Sequence, residues 1–338
     1  MSPADVGVVV VAYGPEPELA HCLQAVRAST GVDVDLVVVD NGCSNDQLPA
    51  LVQQCGGRLL SPGRNSGFAG GCNLAASTLT SDYVVLVNSD AVVAPDALRE
   101  LVAPLGDSVG MTTGSVRLAD RPEVINAAGN PVHFLGTSWA GGFGKPAGPH
   151  EQVREVASAS GALLATRREV WEQLGGFYED YFTYVEDVDL SLRCRLLGLP
   201  VVLVPTAVAL HHYDFSRNER KLYFLERNRL LLLLTVLQRR TLLLLLPALL
   251  LWECAVLALA TKDGWLRAKL EGWGWLLRHR REVVARRRVV QAQRRRPDAD
   301  LVDVLSARLT PDNVARPPGF AVLDGLLAGY WRLVRPLI

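Results

Sequence analysis

The stretch "YVVLVNSDAVV", residues 83–93, combines the pattern of a buried strand with an abrupt polar ending. The apolar and aromatic run from Tyr83 to Val87 leads directly into Asn88, Ser89 and Asp90, after which apolar residues resume. In an open α/β sheet, ligands bind beyond the carboxyl ends of the strands, so polar side chains there need not be buried. The stretch therefore predicts a strand that delivers an amide, a hydroxyl and a carboxylate to a binding crevice.

The segments before this stretch predict an alternation of strands and helices. "VGVVVVAYG" (6–14), "VDLVVVDNG" (34–42) and "GRLLSPG" (57–63) have strand character, and the first is too short for a signal peptide. "PELAHCLQAVRAS" (17–29) carries apolar residues at helical spacing, and "GFAGGCNLAASTL" (67–79) is also predicted to be helical. This alternation predicts an open, mainly parallel sheet with helices on both faces.

The pattern changes after about residue 110. Residues 111–155 are rich in Gly, Asn and Pro, with short strand candidates. "EDVDLSLRCRLLG" (186–198) predicts an amphipathic helix, and "PVVLVPTAVALHH" (200–212) predicts a strand. We expect one domain over 1–230, with a ligand-binding half at 1–110 and a second half at 111–230, followed by a separate region at 231–338.

The formal charge is zero overall but is unevenly distributed. Residues 1–200 hold 12 Lys and Arg against 23 Asp and Glu, a charge of −11, and residues 201–338 hold 23 against 12, a charge of +11. Such asymmetry suggests contact with a membrane or a polyanion. The six cysteines lack metal-ligand spacing, which predicts reduced and mostly buried thiols in a cytoplasmic protein.

The C-terminal region is rich in leucine and arginine. Five leucines occupy 230–234 and five more occupy 242–246. The window 241–260 is long enough to span a bilayer, but it contains Pro247 and Glu253. Residues 278–296 carry nine Arg against one Glu. We expect helices that lie on or partly in the inner face of the cell membrane; whether they span it stays open, and nucleic-acid binding would not explain the leucines.

Several motifs in this order resemble family 2 glycosyltransferases, with the bacterial rhamnosyltransferase-like branch as the closest resemblance. They are "VVVVAYG", "LVVVDNGCSND", "GRNSGFAGGCN", "VVLVNSDAVVAPDAL", "SGALLATRREVWEQLGGFYEDYFTYVEDVDLSLRCRLLG" and "ALHH", which together cover roughly residues 6–230. The resemblance implies a GT-A fold, a Rossmann-like, mostly parallel mixed sheet with flanking helices. It also implies a nucleotide-sugar donor, a divalent cation and inversion at the anomeric carbon.

The resemblance also implies roles for residues at the donor side. Asp90 matches the last carboxylate of the family's metal motif, in which Asn88 replaces the first Asp. A histidine at the position of His211, or His212 as the alternative, completes the metal site for Mg²⁺ or Mn²⁺. The remaining residues expected to contact the donor nucleotide or its phosphates are Tyr13, Gly14, Asp40, Arg64, Asn65, Asn88 and Ser89.

The segment "YVEDVDLSLR" (184–193) carries the residues expected to act on the acceptor. By resemblance, Asp187 is the general base that removes a proton from the acceptor hydroxyl, and Glu186 orients or binds the acceptor. Asp189 lies four residues before Arg193, which predicts an ion pair on the helix surface. Ser160, Gly161 and Trp139 are candidates for lining the acceptor site.

These expectations lead to an inverting glycosyltransferase that moves a sugar, L-rhamnose as one candidate, onto a glycan or lipid-linked acceptor. UDP-galactofuranose, UDP-hexoses and GDP-mannose remain possible donors. A nucleotidyltransferase would require a Gly-rich, Lys-bearing loop after the first strand, which "AYGPEPELAHC" (12–22) lacks. A non-catalytic membrane scaffold that kept the fold is a further alternative, disfavoured by the intact pair at 186–187.

Overall fold

The computed structural model describes residues 3–148, 152–212, 219–311 and 319–338. The strands are β1 Ala4–Gly14, β2 Val32–Cys43, β3 Arg58–Leu60, β4 Tyr83–Val87, β5 Ala91–Val93, β6 Met111–Leu118, β7 Arg121–Ala127, β8 Val132–His133, β9 Arg154–Glu155, β10 Leu163–Arg167, β11 Val201–His211 and β12 Leu305–Ser306. The helices are α1 Leu19–Arg27, α2 Leu48–Gln54, α3 Gly67–Ala76, α4 Ala97–Val102, α5 Arg168–Leu174, α6 Glu186–Leu196, α7 Glu219–Val236, α8 Arg239–Lys262, α9 Leu266–Arg278, α10 Arg280–Gln293, α11 Ala299–Val302 and α12 Phe320–Val334.

The chain divides into two compact units. The first unit comprises residues 1–130, 140–194 and 199–214, and the second comprises 131–139, 195–198 and 215–338. The first unit therefore holds the large sheet, whereas the second holds α7 to α12 and the short pair β8–β12. The boundary that the sequence predicted at residue 230 stays a prediction.

The large sheet is mixed, with its parallel part built from the N-terminal strands. Its order is β3-β2-β1-β4-β10-β6-β11-β5, with β7 beside β6 and β9 beside β11. Strands β1 to β4 run parallel to one another, β10 runs antiparallel between β4 and β6, and β11 runs parallel to β6. The predicted mostly parallel sheet with flanking helices is confirmed.

The alternating side chains of β1 show why this strand is central. Val6, Val8 and Val10 belong to one core cluster together with buried residues of α1, α2 and α4. Successive side chains of a strand point to opposite faces, so Val11 faces the other side. There α3 packs so closely that a Cβ on Gly71 would lie 2.9 Å from Val11 Cγ1. Both faces of β1 are therefore covered by helices, as its continuous apolar sequence predicted.

The beginning of α3 is packed against a distant segment of the first unit. The backbone N–H of Ala69 donates a hydrogen bond of 3.1 Å to the carbonyl oxygen of Phe182. Gly67 has a φ of +73° and a Cβ there would lie 2.2 Å from that same oxygen. Only glycine fits this position, because both the left-handed backbone and the close carbonyl exclude a side chain.

The second unit is a group of helices in which α7 packs on α9 and α10. The C-terminal carbonyls of α7 are satisfied by side chains of α10. Arg287 donates to the carbonyls of Leu234 and Leu237 at 2.5 and 2.6 Å, and Gln291 donates to those of Thr235 and Val236. Part of the arginine-rich segment therefore caps a helix inside the unit, since the last turn leaves carbonyls without intrahelical partners.

The cysteines agree with the prediction of reduced thiols. All six lie in the described part of the chain and are free, and four of them are buried. The compartment of the protein stays a prediction.

Replacing Gly67 with alanine tests the packing of α3 on Phe182. The matched control is Gly63→Ala, because Gly63 also has a positive φ (+70°) but nothing within 4 Å of its added Cβ. We expect Gly63→Ala to cost about 1–2 kcal/mol of backbone strain. Gly67→Ala should cost about 1–3 kcal/mol more through overpacking. Urea unfolding of both variants measures the difference, and equal midpoints would contradict the packing argument.

Candidate active site

The candidate site lies at the edge of the sheet where the parallel strands end. Strands β1, β2 and β4 end at this edge because they are parallel, whereas β10 begins there because it is antiparallel to β4. The N–H of Asn88 donates a 3.1 Å hydrogen bond to the carbonyl of Ala162, which continues the pairing one residue beyond Val87 and Leu163. Asn88, the first residue of "NSD", and Ala162, the neighbour of Gly161, are thereby held side by side.

Asp90 is paired with a histidine from the neighbouring part of the sheet. Its Oδ1 lies 2.9 Å from His211 Nε2, and His211 Nδ1 lies 3.1 Å from Asn126 Oδ1. The amide oxygen can only accept, so a hydrogen bond to it requires a hydrogen on Nδ1, and Nε2 is the nitrogen that faces Asp90. Asp90 is 37% exposed, whereas His211 is buried.

The alternative histidine points elsewhere. His212 Nε2 lies 3.5 Å from Glu18 Oε2, and its backbone N–H donates to the carbonyl of Asp90 at 3.1 Å. The structure thus places His211, and not His212, against the Asp90 carboxylate. Within the described ranges, no cluster of three or more His, Cys, Asp or Glu side chains has the arrangement of a metal site. A cation at Asp90 and His211 would complete its coordination with water or substrate oxygens, as Mg²⁺ commonly does.

The end of β2 is fixed by two neighbouring polar residues. Asp40 Oδ1 accepts hydrogen bonds from the N–H groups of Gly42 and Cys43, at 3.1 and 3.0 Å. The adjacent Asn41 is 1% exposed and reaches across to the loop before α3. Its amide donates to Asn65 Oδ1 and to the carbonyl of Gly67, both at 3.0 Å.

The loop before α3 contains Asn65, whose side chain is held by hydrogen bonds, and Arg64, whose side chain is exposed. Asn65 Oδ1 is engaged by Asn41 and by the N–H of Gly67 at 2.8 Å. Arg64 is exposed and makes no ion pair with any residue that the structure describes. A guanidinium in this state is available to a phosphate group.

A glutamate that the sequence analysis did not single out joins the ends of β1 and β4. Glu16 Oε1 accepts hydrogen bonds from the Tyr13 N–H at 2.9 Å and from Ser89 Oγ at 2.8 Å. Gly14 and Glu16 have φ values of +79° and +43°, so the chain turns sharply here. Tyr13 itself is 61% exposed, which leaves its ring free to contact a ligand.

Asp187 is held at the start of α6 by backbone donors. Its Oδ2 accepts the N–H of Gly161 at 3.0 Å, and its Oδ1 accepts the N–H of Val188 at 2.8 Å. Ser160, next to Gly161, is positioned by its own N–H, which donates to Thr113 Oγ1 at 3.2 Å. Asp187 is half-buried and each of its oxygens keeps a second lone pair, so a hydroxyl can still approach it.

The loop that precedes α6 is strained. Phe182, Tyr184 and Val185 have φ values of +62°, +67° and +73°, and such a value for the β-branched Val185 is a true outlier. Strain of this kind persists only where the surrounding structure imposes it.

The prediction of a surface ion pair between Asp189 and Arg193 was wrong, because the pair is buried. Asp189 is 0% and Arg193 2% exposed, with Arg193 Nε 2.7 Å from Asp189 Oδ2. Tyr181 donates to Asp189 at 3.2 Å, while Arg193 donates to the carbonyls of Leu174 and Gly176 at 2.7 Å. This satisfied network fixes the segment on both sides of the strained loop.

The two carboxyls at 186–187 have perturbed acidities. Burial raises the pKa of Glu186 well above its usual range, and the neighbouring Asp187 charge raises it further. Burial also raises the pKa of Asp187, although the N–H groups of Gly161 and Val188 oppose this shift. Glu186 is 5% exposed, and its Oε2 has no hydrogen-bond partner among the described residues. Burial therefore disfavours the charged form of both carboxyls, and the backbone donors oppose this effect at Asp187.

Most of the predicted residues fall at this one edge, and the structure adds Asn41, Glu16 and Asn126 to them. Trp139 belongs to the second unit, where its N–H donates to the carbonyl of Pro131 at 3.4 Å, and its assignment to an acceptor site stays a prediction. Asn41 lies in "DNG" (40–42) and Glu16 in "GPEPE" (14–18), but no local pattern indicates that Asn41 binds the loop before α3 or that Glu16 links Tyr13 with Ser89. Asn126 lies in a region without a motif.

A mixed α/β sheet with polar strand ends, an Asp–His pair and a separate half-buried Asp is the arrangement expected from the resemblance to GT-A glycosyltransferases. The chain belongs to glycosyltransferase family 2, since the family described as "Glycosyltransferase like family 2" matches residues 3–230. It is similar to the N-acetylglucosaminyl-diphospho-decaprenol L-rhamnosyltransferase of Mycobacterium tuberculosis, with 32% identity over 62% of this chain and 76% of that protein. It is also similar to the rhamnosyltransferase WbbL of Escherichia coli, with 24% identity over 66% and 94%.

Solved structures share the fold. The mannosyltransferase PcManGT from Pyrobaculum calidifontis, in complex with GDP-Man and Mn²⁺, has a TM-score of 0.51 and 18% identity over 86% of both chains. GalNAc-T7 with UDP, GalNAc and Mn²⁺ has a TM-score of 0.58 and 14% identity, over 70% of this chain and 49% of that one. These structures confirm the expected GT-A fold, and the family match confirms the transferase class.

Replacing Asn126 with leucine tests how His211 is oriented. Without the amide oxygen, Nδ1 has no hydrogen-bond acceptor while Nε2 still faces the Asp90 carboxylate, so we expect the imidazole hydrogen to move from Nδ1 towards Nε2. Nitrogen-15 NMR of the imidazole rings measures the tautomers, with the exposed His21 ring as an internal control. An unchanged His211 spectrum would exclude the proposed role of Asn126.

Proposed function

We propose that this family 2 glycosyltransferase transfers L-rhamnose from a nucleoside diphosphate to a lipid-linked glycan acceptor, with inversion and with a divalent cation. The observation that carries the proposal is the arrangement of two acidic groups at one sheet edge. Asp90 pairs with His211 at 2.9 Å, and Asp187 is bound to Gly161, one residue from the Ala162 carbonyl that pairs with Asn88.

The donor side has the chemistry to hold a metal and a diphosphate. Asp90 and His211 offer a carboxylate oxygen and an imidazole nitrogen, a set that suits Mn²⁺ and, less well, Mg²⁺. When bound, such an ion neutralises the charge that develops on the departing diphosphate. Arg64, exposed and unpaired among the described residues, supplies a second positive charge for the phosphates. Tyr13 and Asp40 end the strands where the base and ribose would lie.

The acceptor side has one carboxylate suited to be the base. Asp187 accepts the proton of the acceptor hydroxyl as that oxygen bonds to the anomeric carbon, and the bond from this carbon to the diphosphate oxygen breaks on the opposite face. The Gly161 and Val188 N–H groups hold the carboxylate in one orientation. Glu186 is buried and acts through Asp187, as a positioning residue that keeps its own proton.

The donor sugar and the acceptor follow from similarity to two rhamnosyltransferases, one of them named for a diphospho-decaprenol acceptor. UDP-galactofuranose, UDP-hexoses and GDP-mannose are the competing donors. A non-catalytic scaffold is the competing class, and the paired backbone donors on Asp187 disfavour it, because a scaffold has no use for an oriented, half-buried base.

A donor panel with a polyprenyl-diphosphate-linked N-acetylglucosamine acceptor tests the proposal. We expect the full-length protein to transfer rhamnose from dTDP-rhamnose in Mn²⁺ or Mg²⁺ and to lose activity in EDTA. The anomeric configuration of the product, determined by NMR, should be inverted relative to the donor. Full activity in EDTA would exclude the proposed metal-binding role of Asp90. Transfer from a different donor, and not from dTDP-rhamnose, would show that the proposed donor sugar is wrong.

The Asp187→Asn variant tests the base. Because a general base contributes roughly 10²- to 10⁴-fold, we expect kcat to fall by about that factor while donor affinity, measured by calorimetry, stays unchanged. The control is Asp82→Asn, which removes an exposed carboxylate at the opposite end of β4. Normal turnover of the Asp187 variant would reject its assignment.

The pH profile provides a second measurement on the same residue. The base acts when deprotonated, and the pKa of Asp187 is raised above the usual value of 3.8. Activity should therefore be present at higher pH and be lost as the pH falls through this raised pKa. An acid limb at or below the pKa of an ordinary aspartate would contradict the effect of burial.

A further inference from the structure

The outer face of α8 is apolar over several turns. Leu243, Leu246 and Leu250 recur at spacings of three and four residues and are 70%, 46% and 58% exposed. Pro247, Leu251 and Cys254 are exposed beside them, so this face carries no charge between Thr241 and Cys254. Contiguous exposed apolar side chains of this extent are rare on a monomer and mark a contact surface.

The neighbouring helix α12 also exposes apolar side chains. The hydroxyl of Tyr330 donates to the carbonyl of Leu244 at 2.7 Å, which joins α12 to α8. Val322, Leu326 and Leu333 of α12 are each more than half exposed. The second unit therefore presents two adjoining helices with unburied apolar residues.

Length and composition alone would allow α8 to cross a membrane. It has 24 residues, which corresponds to about 36 Å of helix, and it is the one described helix that is long and apolar enough to do so. Core helices and helices that lie on a membrane pass the same test, so its surroundings must decide between these arrangements.

The inner face of α8 carries a charge that is bound to two other helices. Glu253 accepts hydrogen bonds from Lys269 at 2.7 Å and from Trp273 at 3.0 Å, both on α9, and pairs with Arg229 of α7. Glu226 of α7 completes a cluster of two acids and two bases, at 2.9 Å from Arg229 and 2.5 Å from Lys269. We call these four residues the charge cluster.

The charge cluster is a buried and closed unit. Lys269 is 0% and Arg229 2% exposed. Burial alone would raise the pKa of Glu226, but Arg229 and Lys269 outweigh it and lower the pKa to about 2. A spanning α8 would have to leave α7 and α9, carry Glu253 into hydrocarbon and strip two buried cations of a counter-charge, all of which are unfavourable.

Several exposed arginines of the second unit lie in residues 278–296, which follow α8 and α9 along the chain. Some arginines of residues 278–296 are bound within the unit. Arg287 donates to carbonyls at the end of α7, and Arg294 forms an ion pair with Asp298. The arginines of this segment that remain exposed are Arg278, Arg280, Arg281, Arg288, Arg295 and Arg296. Such a set is complementary to anionic lipid headgroups.

We infer that α8 docks parallel to an anionic membrane surface, with the face of Leu243, Leu246 and Leu250 in the acyl boundary, and does not cross the bilayer. The charge cluster holds the helix to α7 and α9 in this orientation. The inference concerns the second unit and is independent of the proposed transfer chemistry. A protein partner or a second copy on the same face is the competing occupant.

Depth measurements on the full chain distinguish lying from spanning. Both variants carry Cys43→Ser, because Cys43 is only partly buried and would also react. In the first variant Cys254 is labelled with a fluorophore. In the second, Cys254→Ser and Leu243→Cys move the label to another site on the same face. The probes are vesicles of phosphatidylcholine with phosphatidylglycerol, containing lipids brominated at known depths. We expect equal, shallow depths at both sites. A spanning helix would separate them by about 16 Å, and that result would overturn the inference.

Vesicle binding of variants tests the surface itself. Leu250→Glu should weaken binding by roughly 10- to 100-fold, since it removes one buried leucine from the interface. Val153→Glu, at an apolar residue of the first unit that is 56% exposed, should leave binding unchanged. Binding should also decrease with salt and on pure phosphatidylcholine. Absence of vesicle binding, or a lipid-free dimer that Leu250→Glu dissociates, would overturn the proposal.

Discussion

The hydrogen-bonded register between β4 and β10 is the constraint on which the candidate site depends. Because β10 is antiparallel, it begins where β4 ends, with Leu163 opposite Val87. The residues just outside both strands are therefore neighbours, and Asp187 is attached to one of them, Gly161, through a backbone hydrogen bond. A shift of one residue would turn every side chain of β10 to the other face of the sheet, so the buried side chains of β10 fix the chemistry as well as the core.

The sequence predicted the parallel part of the fold well because its signals are local. Runs such as Val6–Val11 and Leu36–Val39 are apolar and β-branched, and they need no distant partner to indicate buried strands. The antiparallel insertion of β10 between β4 and β6 was not predicted, because that placement depends on pairing between segments far apart in the chain.

The site was predictable where side chains end strands and unpredictable where they act on one another. Asp90 and His211 were recognisable, whereas Asn126, which holds the far side of the imidazole, has no local signal. The same reason explains the error at Asp189. Spacing indicates a pair with Arg193 but not burial, which depends on contacts with distant residues such as Tyr181 and Leu174. The strained loop directly precedes Glu186 and Asp187, and its strain is offset by the buried network of Asp189 and Arg193.

Because α10 caps α7, the arginines of the segment 278–296 differ in how well they tolerate substitution by lysine. Arg287 spans two carbonyls, those of Leu234 and Leu237, with one guanidinium nitrogen on a rigid planar group. A lysine keeps the charge but not this fixed geometry, so lysine is a poor substitute there. At exposed positions such as Arg280 and Arg281, where only charge matters, lysine is an adequate replacement. Substitutions that look equally conservative in the sequence are therefore unequal in their effect on the helix end.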